Sequence, residues 1–490
     1  MRQKIILFFG VFIGFTAFSQ NDGDLFRYSK TRLYGDARFN GMGGSMGALG
    51  ANFGASQTNP GGFGRFSNDQ ISVGFNQSNL RNQMTFNGIE TNTNRGLFNL
   101  DNFGIVFNTD ESTTSTGFVY SQIALGYNRS NKFNSTYQYE GPEFNSQLDY
   151  FAGIASGFYP DELNTFFPFT TNLAYNNNSL EFDSSTLEYY PKLTLNDTLY
   201  HNRSITNKGG MGEYYAALSG NYMNVLYIGG LISINSVRYE SDLTHQETVI
   251  NPSGGTQIET ITYRSKLSTR GTGTKIKIGA IYTPLPFLRF GLAFHSPTYY
   301  ELTDESEARM SAIVNGEFKD TPATDKPEGE YKYRLRTPTK SIGSVAFVYG
   351  KTLAINLDVE HVNYKTSNFR TTTDPSYQPY NFIAENAIAK EVFKRAINAR
   401  IGGEYNLSIP VTLRAGLGFS GSAYKRKYEV DPKIDKFFTL GIGYKYSVHS
   451  FDFSFRYDNQ QRNYYTFLPQ AISLTEKIYS ILFSYRVVIQ

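Results

Sequence analysis

Cysteine is missing from all 490 residues, which removes disulfides, zinc–thiolate centres and thiol nucleophiles at once. Tryptophan is missing as well, and histidine is scarce. His201, His245, His295, His361 and His449 show no H-x-x-x-H or H-E-x-x-H spacing, so no metal site is expected from them. A haem centre would want a His or Tyr axial ligand, and no residue stands out for that role. No cofactor is expected. Charge of one sign is also lacking. Taking Arg2 and Lys4 of the leader described below from the 46 basic residues leaves 44 against 43 acidic ones, a net charge of +1. A near-neutral chain without a basic patch is a poor partner for nucleic acid. Beyond the first 20 residues no apolar run reaches the roughly 18 residues of a membrane helix.

The leader itself, MRQKIILFFGVFIGFTAFSQ, has two early cations, an apolar stretch from Ile5 to Phe18 and small residues at Ala17 and Ser19. This is the pattern of a cleaved secretory signal over residues 1–19, too short for a membrane span. With no cysteine after it, lipoprotein anchoring is excluded.

What the chain has in abundance is Tyr and Phe, 37 and 40 residues, distributed in period-two patterns. Ile71, Val73 and Phe75 alternate with Ser72, Gly74 and Asn76. Leu353, Ile355, Leu357 and Val359 alternate with Asn356, Asp358 and Glu360. Phe451, Phe453, Phe455 and Tyr457 alternate with Asp452, Ser454, Arg456 and Asp458. Period two makes strands with one apolar and one polar face. In a soluble sandwich the charged face meets water outside; in a transmembrane barrel it meets the lumen, and periodicity does not separate the two. Recurrence over some 400 residues without a helical layer, aromatic residues at many strand ends, and a final alternation from Tyr479 to Ile489 favour the barrel. About 14 candidate strands start near 70, 97, 117, 212, 225, 272, 288, 340, 353, 394, 411, 435, 450 and 477. An even number places both termini on one side, here the periplasmic one.

Before the first strand lies ARFNGMGGSMGALGANFGASQTNPGGFGRF, residues 37–66, with nine glycines in thirty positions. Such density suits irregular backbone packed closely inside something else. Gly43-Gly44-Ser45-Met46-Gly47 matches G-x-S-x-G, but neither the strand nor the helix of a nucleophile elbow flanks it, so no enzyme is expected. Together with Gly43, Gly44 and Asn59-Pro60-Gly61, the stretch resembles the N-terminal hatch of the FadL/TodX family of outer-membrane channels for hydrophobic compounds. KGGMGEY at 208–214 and TPLPFLRFGLAFHSP at 283–297 add to the resemblance. Gly61 stands where that family has alanine.

The resemblance implies an all-β, transmembrane antiparallel barrel of about 14 strands in the cell outer membrane. It implies a lumenal hatch over residues 20–69 and a barrel over 70–490 with long extracellular loops near 131–210 and 370–395. It also implies passive uptake of hydrophobic small molecules, with long-chain fatty acids or similar lipids leading. The partners expected are a fatty acid-like ligand, outer-membrane lipid and, during biogenesis, barrel-assembly machinery. An N-terminal apolar tip, Leu25 and Phe26, would reach into the ligand pocket or pack on the hatch. Gly117 and Gly126 flank the third strand, where the family has a kinked lateral doorway; ordinary curvature is the alternative. The long insertion gathers Phe151, Phe158, Phe166, Phe167 and Phe169, a ligand groove or a self-packed lid. Asn381–Arg395 has helical spacing with late cations, so a short helix over the barrel mouth is expected. A different role remains open: a barrel of this type docking or shuttling secreted proteins, or a haem-type receptor.

Overall fold

The computed structural model describes residues 22–110, 117–194, 197–321, 327–408, 410–428, 435–468 and 470–489. The leader over 1–19 lies outside them. Fourteen antiparallel strands close on themselves: β1 (Asp69–Phe86), β2 (Ile89–Asp110), β3 (Phe118–Lys132), β4 (Thr198–Tyr222), β5 (Leu226–Asn251), β6 (Ile258–Leu285), β7 (Leu288–His295 and Tyr299–Val314), β8 (Glu328–Arg336 and Lys340–Tyr349), β9 (Leu353–Asn363), β10 (Arg395–Ser408), β11 (Val411–Ser420), β12 (Asp435–Tyr446), β13 (His449–Tyr464) and β14 (Ile472–Ile489). Closure is direct, with β1 paired to β14 from Asp69↔Ile489 to Thr85↔Ser473. A closed sheet leaves no edge and satisfies every backbone group internally, which a lipid environment requires.

Which face points where decides between sandwich and barrel. On β9, Ile355, Leu357 and Val359 are 39, 39 and 43% exposed, whereas Asn356 and Asp358 are 0% and Glu360 5% exposed. The same holds on β12 and β13, where Leu440, Ile442 and Phe453 face out while Thr439, Asp452 and Ser454 are buried. An apolar exterior with charged residues inside is the inverse of a soluble sandwich. It is the arrangement that hydrocarbon stabilises.

At the end where β1 begins and β14 finishes, the described turns are tight. Met223 and Asn224 take positive φ between β4 and β5, as does Ser447 between β12 and β13. At the opposite end the strands outrun the apolar band. β4, β5 and β6 are 25, 26 and 28 residues long, and a strand at Ser135–Glu143 extends the ladder beside β4. The insertion expected as a strandless loop over 131–210 is therefore shorter. Its two ends, 135–143 and 198–210, are strand, because backbone pairing continues where the apolar/polar alternation stops. Between them lie α-helices at Gln147–Ile154, Leu163–Phe166 and Thr171–Asn176 and a two-stranded sheet (Leu180–Asp183, Glu188–Pro191). The helix expected near 381–395 is present at Ile383–Val392.

Candidate functional site

Residues 22–66 enter the barrel and fill much of its lumen. Three side chains fix the irregular backbone. Asp36 caps the short helix Ala37–Gly41 by accepting from Phe39 N (2.8 Å), and it also accepts from Asn52 Nδ2 (2.8 and 3.0 Å). Asn52 in turn accepts from Gly54 N at 2.7 Å. Asn59 accepts from Gly61 N (3.0 Å) and donates to Gly47 O (2.8 Å) and, across to the wall, Ala280 O (2.9 Å). Pro60 follows as the first residue of a 3-10 turn, where its missing N–H costs nothing. Gly43 and Gly44 sit at φ +66° and +70°, and a Cβ on Gly43 would stand 3.3 Å from Gly416 Cα on β11. Hatch and wall thus meet backbone to backbone.

Charge completes the seal. Arg38 reaches Glu404 at 2.7 Å, Arg414 joins Glu404 (3.2 Å) to Asp452 (2.7 Å), and Lys277 contacts Glu213 (2.6 Å) while donating to Ser56 O (2.7 Å). Asp358 accepts from Met46 N and Gly47 N at 3.1 and 3.2 Å. Ser45, the serine of the G-x-S-x-G match, is fully buried, with its Oγ 2.9 Å from Asn356 O and 3.1 Å from Arg400 O. It ties the hatch to the wall, with no imidazole bonded to it.

Above the hatch, on the loop side, a cavity of about 720 Å³ opens between the N-terminal segment and strands β1, β2, β3, β4, β5, β13 and β14. Its apolar lining comes from Leu80, Leu97, Ile205, Leu243, Leu474, Ile478 and Leu482. Charged residues are interleaved with these, six basic (Arg27, Lys30, Arg32, Lys132, Arg456, Arg462) against three acidic (Asp22, Asp458, Glu476); Arg462 stands opposite Leu474, and Asp458 opposite Ile478, across the β13–β14 ladder. Phe26, on the helix Asp22–Ser29, lines this space and packs on Tyr424 with ring centroids 5.4 Å apart. Leu25 does not line it; it is fully buried among Tyr28, Tyr333 and Phe382. The five phenylalanines of the insertion are also elsewhere. Phe151, Phe167 and Phe169, with Phe158 and Phe166 against them, pack on Ile258, Ile261 and Tyr263 of β6 and Met310 of β7. They form the interior of a cap, and apart from Phe26 the cavity lining comes from residues that sequence reasoning passed over. The signal for them was the inward, usually polar, face of strands carrying a leucine or isoleucine out of phase.

The cavity reaches the seam between β2 and β3. Their ladder ends at Asn102↔Asn128, and beyond it β2 continues on β1 while β3 continues on β4. Side chains cross the seam in place of the ladder. Arg129 donates to Leu100 O (3.2 and 3.3 Å), and Asp101 pairs with Lys132 at 3.0 Å. Neither Gly117 nor Gly126 makes this break: Gly126 remains in the ladder opposite Gly104, and the irregularity falls at Arg129–Asn131.

A closed barrel with an apolar belt, a lumen occupied by the chain's own N-terminal segment, and a cavity beside that segment defines a plugged outer-membrane transport barrel. The sequence agrees. A family model described as outer membrane protein transport protein (OMPP1/FadL/TodX) matches residues 214–468, more than half the chain, and the protein belongs to that family. Its fold is that of a Pseudomonas aeruginosa FadL homologue (TM-score 0.56, 11% identity, covering 94% of this chain and 99% of that one). The Pseudomonas putida toluene transporter TodX is similar as well (TM-score 0.53, 12% identity, 94% and 100% covered). No curated protein sequence matches this chain.

Proposed function

We propose that the protein is a passive outer-membrane channel for hydrophobic small molecules, and that its ligand is an acidic amphiphile of the long-chain fatty acid class. The mixed lining of the cavity, apolar side chains interleaved with basic ones, carries this reading. An alkyl tail against these leucine and isoleucine side chains gains about 0.8 kcal/mol for each methylene removed from water. A carboxylate suits the basic groups among them, five of which it would share with Asp24, Asp435, Asp101, Asp458 and Glu476. The ligand enters from the loop end, rests above the hatch, and leaves sideways through the β2–β3 seam or past a displaced hatch. Displacement follows only if the ligand contacts the two hatch positions differently. The long apolar insertion is a lid packed on the rim. A docking role in protein secretion would call for a sealed lumen with an apolar rim, and the cavity favours the channel.

The test is extraction of whatever co-purifies with the barrel in mild detergent, read by mass spectrometry. Stoichiometric fatty acid or a related lipid acid in the wild type, lost in Ile205→Asn/Leu474→Asn but kept in Phe166→Ser/Phe167→Ser, is the expected result. A barrel that carries no hydrophobe and takes up none when offered oleate would overturn the proposal.

A further inference from the structure

Outside the cavity, one buried cluster has ring nitrogens with nothing to bond. His201 on β4 faces Glu247 on β5 directly in register, and His245 lies two residues before Glu247 on the same face. The three ligand atoms lie within 4.8 Å of one another: Glu247 Oε1 is 2.9 Å from His245 Nε2 and 3.9 Å from His201 Nε2. All three residues are buried, His201 completely, yet neither nitrogen of His201 and not the Nδ1 of His245 has a hydrogen-bond partner. A buried polar group left unbonded costs about 1–3 kcal/mol, so three on two adjacent imidazoles call for an occupant. Phe467 and Phe86 enclose the rings, with Phe467 centroids 6.1 and 5.4 Å from His201 and His245.

We propose that His201, His245 and Glu247 form a site for a divalent transition metal of the zinc class, which fastens the lid to the barrel rim. Two imidazoles and one carboxylate are a donor set for zinc and its neighbours, whereas calcium and magnesium take oxygen alone. With metal–ligand distances of about 2.0–2.1 Å, donors in a tetrahedron stand roughly 3.3 Å apart. The observed spacings straddle that value, so closure needs side-chain adjustment and no change of strand register. Glu247 is also the link to the lid: it accepts from Gln147 N at 2.7 Å and from the Ser146 hydroxyl, the N-cap of helix Gln147–Ile154. A metal on its carboxylate would hold lid, β4 and β5 as one unit. Arg203, across the ladder from His245, brings a positive charge that opposes a dication and weakens its binding.

The experiment is titration of EDTA-treated, full-length protein in detergent with ZnSO₄, followed by calorimetry and by metal analysis after gel filtration. CoCl₂ serves as a spectroscopic stand-in. The expected result is one zinc per chain, a visible cobalt band of tetrahedral intensity, and slower proteolysis within 147–176 when metal is present. His201→Gln, which removes no hydrogen bond, should weaken binding at least tenfold while the barrel stays heat-modifiable on gels. Absence of stoichiometric binding to the wild type at millimolar zinc overturns the proposal. So does unchanged affinity in a folded His201→Gln protein.

Discussion

At the scale of single residues, the hatch is held by short polar side chains and by glycines that have no room to be anything else. A Cβ on Gly416 would stand 2.4 Å from Gly43 N and 2.6 Å from Met42 C. These are backbone atoms, so Gly416→Val should displace the hatch and leave the belt intact. Planar-bilayer recordings should then show ion conductance well above the wild type, and unchanged conductance would contradict the plugging role. Asn59→Ala removes three hydrogen bonds, two of them donated by its own amide, and leaves the carbonyls of Gly47 and Ala280 without that donor. At about 1 kcal/mol a bond the loss is about 2–4 kcal/mol, measurable as a shift in urea midpoint. Lys277→Met leaves Glu213 buried without its closest cation, a defect of about 3–5 kcal/mol. Lys277→Met with Glu213→Leu should recover most of it. The legible part here was Asn59-Pro60-Gly61. The wall positions that answer the hatch, such as Gly416 and Gly279, carry no local signal, because an inward glycine in a strand looks like any other weak strand residue.

At the scale of elements, amphipathic alternation located the barrel strands well: those expected from near 353, 394 and 411 begin at Leu353, Arg395 and Val411. It failed where the strands leave the apolar belt. β4 was expected from near 212 and begins at Thr198; β6 was expected from near 272 and begins at Ile258. In water both faces of a strand can be polar, so pairing there is set by continuity with the belt and leaves no periodic mark. The belt itself makes a testable claim. Leu440 is 54% exposed in the middle of β12, and Leu440→Arg should cost about 2–4 kcal/mol in a lipid bilayer, provided the position lies near the midplane. Thr439, one residue earlier, faces the hatch and donates to Gly41 O at 3.0 Å. Thr439→Val should therefore act on hatch retention, with little effect on how the belt partitions into lipid. The aromatic insertion shows the other limit: its composition announced a packed apolar cluster, but only the lengths of β6 and β7 determined that the cluster would rest on the rim and not in the cavity.

At the scale of the molecule, the hatch touches strands that are far from it in the chain, and this constrains assembly as much as transport. Ala37 N bonds to Ser484 Oγ, 447 residues away, and the first strand closes on the last. The hatch is made first, yet its last partners are made at the end. A barrel that closed without it would leave Glu404 without Arg38 and buried Asp358 without the backbone donors of Met46 and Gly47. The hatch is thus a mandrel on which the sheet is rolled, and its insertion and the final β1–β14 seam belong to one step. Contacts of such separation slow folding. Refolding followed in parallel by gel mobility and by protease protection of residues 37–66 should show both signals rising at the same rate.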